Sequence, residues 1–172
     1  MRLILRGLML ALIIVMVSAC GNENDNENTY NFEELSMTLT DTTGEEVDVF
    51  AANGKELYLY FTGTQWGTCL SQLVELNKYL DDFSSMGVTV YGISPASNED
   101  HAQMKEAAGI NFPLLTDTSY KFGENLGFVD FDKNAIYRGY VAVNLDSENL
   151  EKEVDYLVGD NIKEVLSVLE DL

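Results

Sequence analysis

The chain has 172 residues, of which 29 are acidic and 10 are basic, so its formal charge at neutral pH is −19. A phosphate backbone would repel such a surface, and we therefore expect no nucleic-acid partner. The two cysteines and the single histidine show no metal-ligand spacing, so we expect neither a metal nor another cofactor.

Residues 1–19 have the three parts of a secretory signal. Arg2 and Arg6 give a positive start, an apolar run follows, and the small residues of Val-Ser-Ala precede Cys20. This tetrapeptide resembles the lipobox of bacterial lipoproteins, in which the cysteine is lipidated after cleavage. The apolar run is shorter than the roughly 20 residues that a membrane span needs. We therefore predict a lipid anchor on Cys20 that holds the protein at the cell membrane, facing the extracytoplasmic side.

Residues 20–30 predict a disordered tether. Behind the cysteine, residues 21–28 are glycine, asparagine, glutamate and aspartate, with no apolar side chain to offset the entropy of ordering. Removal of the signal would take two arginines and no acid, so the charge of the mature chain would be −21. The remainder, residues 31–172, has the size of one ordinary domain.

The domain is predicted to begin with a β-hairpin. Apolar residues alternate over 32–40, a turn follows, and a returning strand covers 46–50. The segment 56–62 is a nearly unbroken run of strand-forming residues, which is typical of a strand buried on both faces.

A helix is predicted from Cys69 to Met86, because its apolar residues recur at spacings of three and four. A second buried strand follows at 88–94. A helix between two buried strands indicates a βαβ unit with a parallel pair of strands.

The rest of the chain continues this alternation. We predict helices at 98–108, 119–126 and 161–172, and strands at 112–115, 138–145 and 153–158. The order of elements predicts an α/β fold, a thioredoxin-like layered sheet with an N-terminal β-hairpin and helices on both faces.

Cys69 lies after a buried strand and at the start of a helix. Unpaired backbone N–H groups and the helix dipole favour an anion there, so they stabilise a thiolate. This position makes Cys69 a candidate nucleophile, whereas the alternative is an inert core cysteine.

His101, the only histidine, lies in an acidic segment, and we expect it to be solvated rather than catalytic.

Five sequence blocks carry a resemblance to a known family. They are Leu59-Tyr60-Phe61, Cys69-Leu70-Ser71-Gln72-Leu73, Tyr91-Gly92-Ile93-Ser94-Pro95, Phe112-Pro113-Leu114-Leu115-Thr116-Asp117 and Arg138-Gly139-Tyr140-Val141-Ala142-Val143. In order and spacing they resemble the peroxiredoxin and alkyl hydroperoxide reductase/thiol-specific antioxidant family. The resemblance implies a thioredoxin-like fold and the reduction of peroxides by a cysteine at this helix start.

The resemblance assigns roles to three residues. Cys69 would be the peroxidatic cysteine, and Gln72 matches a position where relatives carry Glu or Gln. Arg138 would be the arginine near the thiolate, where its guanidinium would stabilise charge on the departing oxygen.

Two positions depart from the family pattern. Active peroxiredoxins carry a proline seven places and a threonine three places before the cysteine, where this chain has Thr62 and Trp66. An indole N–H only donates, so it cannot accept from the peroxide. Thr64 and Thr68 are candidate replacements, which makes Thr62, Thr64, Trp66, Thr68 and Gln72 candidate substrate contacts.

A second alignment is also open. Relatives in the same superfamily carry a Trp-Cys-x-x-Cys motif, and if Cys69 matches its second cysteine, Trp66 replaces the nucleophile.

Three functions follow as hypotheses. The first is a single-cysteine peroxidase that reacts with peroxide and takes its reducing equivalents from an external thiol or thioredoxin-like partner. The second is a thiol-disulfide exchange protein, and the third is a non-catalytic surface binding lipoprotein.

Overall fold

A computed structural model describes residues 30–51, 53–63 and 66–172. The predicted signal, the lipidation residue Cys20 and nearly all of the tether lie outside the described residues, as does Thr64. None of the helices in the described part has both the length and the apolarity of a membrane span.

Six helices and nine strands make up the described part. The helices are α1 (Phe32–Leu35), α2 (Trp66–Asn77), α3 (Leu80–Ser85), α4 (Asn98–Ala108), α5 (Lys121–Asn125) and α6 (Ile162–Asp171). The strands are β1 (Met37–Asp41), β2 (Glu46–Val49), β3 (Lys55–Tyr60), β4 (Val88–Ser94), β5 (Leu114–Thr116), β6 (Val129–Asp130), β7 (Ala135–Ile136), β8 (Gly139–Asn144) and β9 (Asn149–Val154). A 3₁₀ turn at Gly159–Asn161 precedes α6.

Seven strands form one mixed sheet in the order β2-β1-β5-β4-β3-β8-β9. The pairs β3-β4 and β4-β5 are parallel, and the β8 neighbour of β3 is antiparallel to it. The sheet confirms the predicted α/β class and the predicted parallel βαβ unit. It also puts β3 between two partners, which explains its continuous apolar sequence.

The side chains of β3 alternate between two separate cores. Leu57 and Leu59 join a core with residues of α2 and α6, whereas Tyr58 and Tyr60 join a second core with residues of α5. Helices therefore cover both faces of the sheet, as predicted.

The predicted strand at 32–40 is wrong in its first half, which forms α1. The side chain of Asn31 accepts a hydrogen bond from the N–H of Glu33 at 3.1 Å, and Glu33 and Glu34 place acids in the first turn. This cap favours a helical turn before β1 begins. The predicted hairpin itself is present, since β1 and β2 pair antiparallel with Met37 opposite Val49.

The predicted long helix is two helices, α2 and α3. The N–H of Lys78 donates to the carbonyl of Glu75 at 3.1 Å, a bond that reaches only three residues back. This tighter turn ends α2, and α3 starts anew at Leu80. The helix also begins at Trp66, before the predicted start at Cys69.

The strand predicted at 153–158 is misplaced. β9 starts at Asn149, which pairs with Asn144 at the end of β8 in a tight hairpin. The strand ends before Asp155, whose φ of 59° takes the chain out of the extended conformation. The two-residue strands β6 and β7 were not predicted, because segments that short carry no periodic signal.

Candidate active site

Cys69 lies in the first turn of α2, directly beyond the carboxyl end of β3. It is a free cysteine and is only 4% exposed. The α2 side of the sheet therefore encloses the sulfur almost entirely.

Thr62 contacts the sulfur. Its Oγ1 lies 3.4 Å from Sγ of Cys69. The pairing of β3 with β4 extends past the end of β3, because the N–H of Phe61 donates to the carbonyl of Ile93 at 3.0 Å. Thr62 is thus the first residue beyond the sheet, and its half-buried side chain contacts the sulfur of Cys69.

A small pocket opens beside the sulfur. Its lining consists of Leu59, Tyr60, Phe61, Cys69, Gln72, Arg138, Tyr156 and Val158. The structure therefore brings together three residues that the sequence nominated, Cys69, Gln72 and Arg138. Most of the other lining is apolar, so a charge that forms there has few solvent dipoles to stabilise it.

Arg138 reaches this pocket because β8 is antiparallel to β3. Gly139 at the start of β8 pairs with Tyr60 at the end of β3. The carbonyl of Arg138 accepts hydrogen bonds from the N–H groups of Asp155 at 2.7 Å and Tyr156 at 3.2 Å. These bonds fix the backbone of Arg138 at the same end of the sheet as Cys69.

A glycine is required directly after Arg138. A Cβ at Gly139 would overlap the backbone oxygen of Glu153 and lie 2.8 Å from the ring of Phe128. The close approach of β8 and β9 that positions Arg138 therefore depends on this residue having no side chain.

The guanidinium of Arg138 forms no ion pair with any described residue, since the ion pairs in that part of the chain join Lys78 to Glu75 and Lys133 to Asp130. Its charge is therefore not paired with a carboxylate of the described residues.

Gln72 lines the pocket, but its amide is bonded to the protein. Its Oε1 accepts from the N–H of Gly159 at 2.6 Å, and its Nε2 donates to Oδ1 of Asp160 at 3.4 Å. These bonds fasten α2 to the 3₁₀ turn before α6. The geometry therefore gives Gln72 a structural role in the lining beside Cys69.

The other nominated residues contribute less to the described geometry. Trp66 begins α2, and its side chain lies outside the described residues together with Thr64. Thr68 is exposed and is not part of the pocket lining.

The expectation that His101 is solvated is wrong. The residue is fully buried, and its Nε2 lies 2.6 Å from Oγ of Ser94 while its Nδ1 lies 3.2 Å from Oγ1 of Thr116. Because the Thr116 hydroxyl donates to Oδ1 of Asn98, it accepts from Nδ1, and Ser94 donates to Nε2. Burial, opposed by the carboxylate of Asp100, lowers the pKa of His101 to about 4, so the ring is neutral at pH 7.

This buried network supports the loop that carries Thr62. Gly63 has a φ of +74°, and a Cβ there would lie 2.8 Å from both Oγ of Ser94 and Cβ of Ala96. His101 holds Ser94, and Ser94 packs under Gly63. The signal in the sequence was the three-residue spacing between His101 and Met104, which puts both on the buried face of α4.

Asp117 is a second buried polar residue that the sequence did not mark. Its Oδ2 accepts from the N–H of Gly123 at 3.0 Å and from the hydroxyl of Tyr60 at 3.3 Å. Burial raises the pKa of Asp117, and these hydrogen bonds oppose the rise. Since both bonds hold backbone and core groups in place, the role of Asp117 is structural.

Among the described residues, no three His, Cys, Asp or Glu side chains are grouped closely enough to hold a metal ion.

A family model matches more than half of the chain. Residues 33–148 match the model described as the AhpC/TSA family. The matched range includes β3, the start of α2 with Cys69, and Arg138.

Curated relatives carry peroxiredoxin names. A provisionally named peroxiredoxin of Mycobacterium tuberculosis is 34% identical over 83 residues, which cover 48% of this chain and 53% of the relative. The match therefore spans about half of that protein. Peroxiredoxin Bcp of Bacillus subtilis is 26% identical over 137 residues, with 75% of this chain and 87% of the relative covered.

Solved structures share the fold. Peroxiredoxin Q of Xanthomonas campestris superposes with a TM-score of 0.71 at 18% identity, covering 78% of this chain and 90% of that one. A mutant of PrxQ from Xylella fastidiosa gives a TM-score of 0.73 at 19% identity, covering 83% and 93%. The predicted thioredoxin-like architecture is thereby confirmed.

Proposed function

Because the chain belongs to the AhpC/TSA family of peroxiredoxins, we propose that it reduces peroxides with Cys69 as its single reacting cysteine. The observation that carries this proposal is the shared pocket of Cys69 and Arg138. Cys69 at a helix start and Arg138, which is in no ion pair with a described residue, line the same small space. A reaction between a thiolate and a peroxide needs a nucleophile and a cation close together.

In the first step the thiolate of Cys69 attacks one peroxide oxygen. The S–O bond forms as the O–O bond breaks, and the departing oxygen takes a proton and leaves as water or an alcohol. The sulfur loses two electrons and becomes a sulfenic acid, and the peroxide gains those two electrons.

Arg138 stabilises the negative charges of this step. In this mechanism its guanidinium would face the thiolate before the attack and the departing oxygen during it. In a pocket with apolar walls a fixed cation has a larger effect than it has in water. No carboxylate of the described residues competes for it.

The second half of the cycle uses an external thiol. That thiol attacks the sulfenic sulfur, which releases water and leaves a mixed disulfide on Cys69. A second thiol then displaces Cys69 as a thiolate and leaves with the first thiol as a disulfide. The chain contains only Cys20 and Cys69, and if Cys20 carries a lipid, neither thiol can come from the same chain. A small thiol or a thioredoxin-like protein fits this role.

The location at the membrane belongs to the same proposal. The sequence of residues 1–20 supports a lipid anchor on Cys20, and the uncharged and acidic tether behind it supports a domain held on the extracytoplasmic side. Metabolic labelling with a fatty-acid analogue tests this point. The label should enter the wild-type chain and be lost from Cys20→Ser, and a label retained by Cys20→Ser would contradict the anchor.

Peroxide consumption tests the chemistry. The purified Cys20→Ser chain, in which Cys69 is the only thiol, is mixed with hydrogen peroxide or an alkyl hydroperoxide and excess dithiothreitol. We expect catalytic loss of peroxide that disappears in the Cys20→Ser, Cys69→Ser double variant. Equal rates for the two would rule out the proposed function. A mixed disulfide with a protein partner that depends on Cys69, without any consumption of peroxide, would instead favour thiol-disulfide exchange.

A further inference from the structure

We propose that the hydroxyl of Thr62 is a further catalytic group, the hydrogen-bond donor that holds the sulfur of Cys69 as a thiolate. This inference rests on the proposed function, because it concerns the activation of the same nucleophile. From the sequence alone, Thr62 is only a candidate contact of the substrate.

The distance between the two groups permits this donation, and the chemistry of the thiolate sets its direction. Oγ1 of Thr62 lies 3.4 Å from Sγ of Cys69, within hydrogen-bond range for sulfur. In the thiol state either group can donate, but a thiolate has no hydrogen, so the hydroxyl must then donate to it. Hydrogen bonds to a charged acceptor are stronger than those to a neutral one. The contact is therefore worth more in the thiolate state, and it shifts the thiol equilibrium toward that state.

Both neighbours of Thr62 hold it in place. On one side, the N–H of Phe61 is bonded to the carbonyl of Ile93. On the other side, Gly63 adopts a φ of +74° and packs against Ser94. Ser94 is itself held by the buried ring of His101 at 2.6 Å. The hydroxyl thus needs little further ordering to meet the sulfur, which favours a preorganised contact.

The proposal also accounts for the two departures from the family pattern. The family's proline has no side-chain donor, and this chain has Thr62 in its place. At the family's threonine this chain has Trp66. A hydroxyl is therefore present four residues earlier than in the family, on the segment that leaves β3 rather than on the start of α2.

The rate of Cys69 alkylation by iodoacetamide tests the proposal directly, because only the thiolate reacts. All variants carry Cys20→Ser. Thr62→Val removes the hydroxyl and keeps the shape, Thr62→Ala removes it with a smaller side chain, and Thr62→Ser retains it. Thr89→Val, at an exposed position of β4, is the matched control for the same chemical change.

At pH 6 we expect Thr62→Val and Thr62→Ala to alkylate about tenfold more slowly than the parent chain, the effect of losing one hydrogen bond to a charged group. Thr62→Ser and Thr89→Val should stay within about twofold of the parent. At a pH high enough to ionise the thiol in every variant, the rates should converge. A purely structural role for Thr62 would change the rates at both pH values.

The comparison at pH 6 uses whichever of the two hydroxyl-free variants folds. If that variant is alkylated at the same rate as the parent, the proposal for Thr62 is overturned, whether or not the chain consumes peroxide. A tenfold loss at pH 6 in a chain that consumes no peroxide would uphold the role of Thr62 and reject the proposed function. The two ideas therefore fail separately.

Discussion

Gly139 at the start of β8 lies opposite Tyr60 at the end of β3, and this one pairing brings the segments that carry Cys69 and Arg138 to the same end of the sheet. Cys69 follows the carboxyl end of β3, whereas Arg138 immediately precedes β8. Antiparallel strands place the end of one beside the start of the other. Cys69 and Arg138 therefore line one pocket although they are distant in the sequence.

Replacement of Arg138 should slow the reaction with peroxide. Arg138→Met removes the charge and keeps an apolar stem of similar length, so we expect the oxidation of Cys69 to slow about a hundredfold, the usual effect of losing one preorganised charged donor. Arg138→Lys keeps the charge without the planar fork and should be intermediate. Stopped-flow measurement of the oxidation rate checks both. Lys163→Met, at an exposed position of α6, controls for the loss of a positive charge and should match the parent. An equal loss in that control would contradict a local role for Arg138.

Gln72 should contribute to stability. Gln72→Ala leaves the buried N–H of Gly159 without its acceptor, so we expect the free energy of unfolding to fall by about 1–3 kcal/mol. Urea denaturation measures this change. Gln103→Ala, on the exposed face of α4, should change it by less than about 0.5 kcal/mol. Unchanged stability in Gln72→Ala would show that water replaces the side chain.

The sequence predicted the parts of this molecule that depend on local patterns. Periodicity predicts the apolar strand β3 and, from the spacing of the apolar residues, the helix α2. The chemistry of a helix start marks Cys69 as a candidate. The pocket could not be derived in the same way, because it depends on the pairing of β8 with β3 and on the missing side chain of Gly139. Arg138 was found only through the family resemblance.

His101 shows how such a prediction fails. The acids around it indicated a solvated helix, but those acids occupy the exposed face of α4, and the ring occupies the other. The buried position of His101 depends on its hydrogen-bond partners Ser94 and Thr116, which come from β4 and β5. Pairing across the sheet decides such contacts, and a pattern within one helix does not contain that information.

His101 should make the fold sensitive to acid. Its pKa is about 4 in the folded chain against 6.5 as the ordinary value. Between these values the unfolded chain binds the proton and the folded chain does not, so stability falls as the pH falls. From pH 7 to pH 4.5 this single group should remove about 2 kcal/mol from the free energy of unfolding.

The comparison with His101→Asn isolates this effect. Burial raises the pKa of Asp117 and of Glu56, and these acids act in the opposite direction, because their folded forms take up protons more readily as the pH falls. They are present in both chains, so their effect cancels in the difference. Urea denaturation at pH 7 and pH 4.5 should show a larger loss in the parent. Equal losses of unfolding free energy in the two chains would mean that the folded parent also protonates the ring at pH 4.5.

Gly139 should tolerate no side chain. Gly139→Ala forces a Cβ onto the backbone of β9, so we expect a loss of about 2 kcal/mol or more in stability and a slower reaction with peroxide as Arg138 moves. Gly67→Ala is the matched control, because a Cβ at Gly67 meets no atom within 4 Å. That variant should be as stable as the parent or slightly more stable, since alanine favours a helix over glycine. Thermal denaturation distinguishes the two, and equal melting temperatures would contradict the packing described for β8 and β9.

A single-turnover experiment tests whether Cys69 attacks peroxide with the help of the groups around its pocket. The reduced Cys20→Ser chain meets one equivalent of hydrogen peroxide in the presence of dimedone, and the product is mapped by mass spectrometry. We predict stoichiometric dimedone labelling of Cys69, formed much more slowly in Arg138→Met. An unlabelled Cys69 with the peroxide still intact would contradict the account.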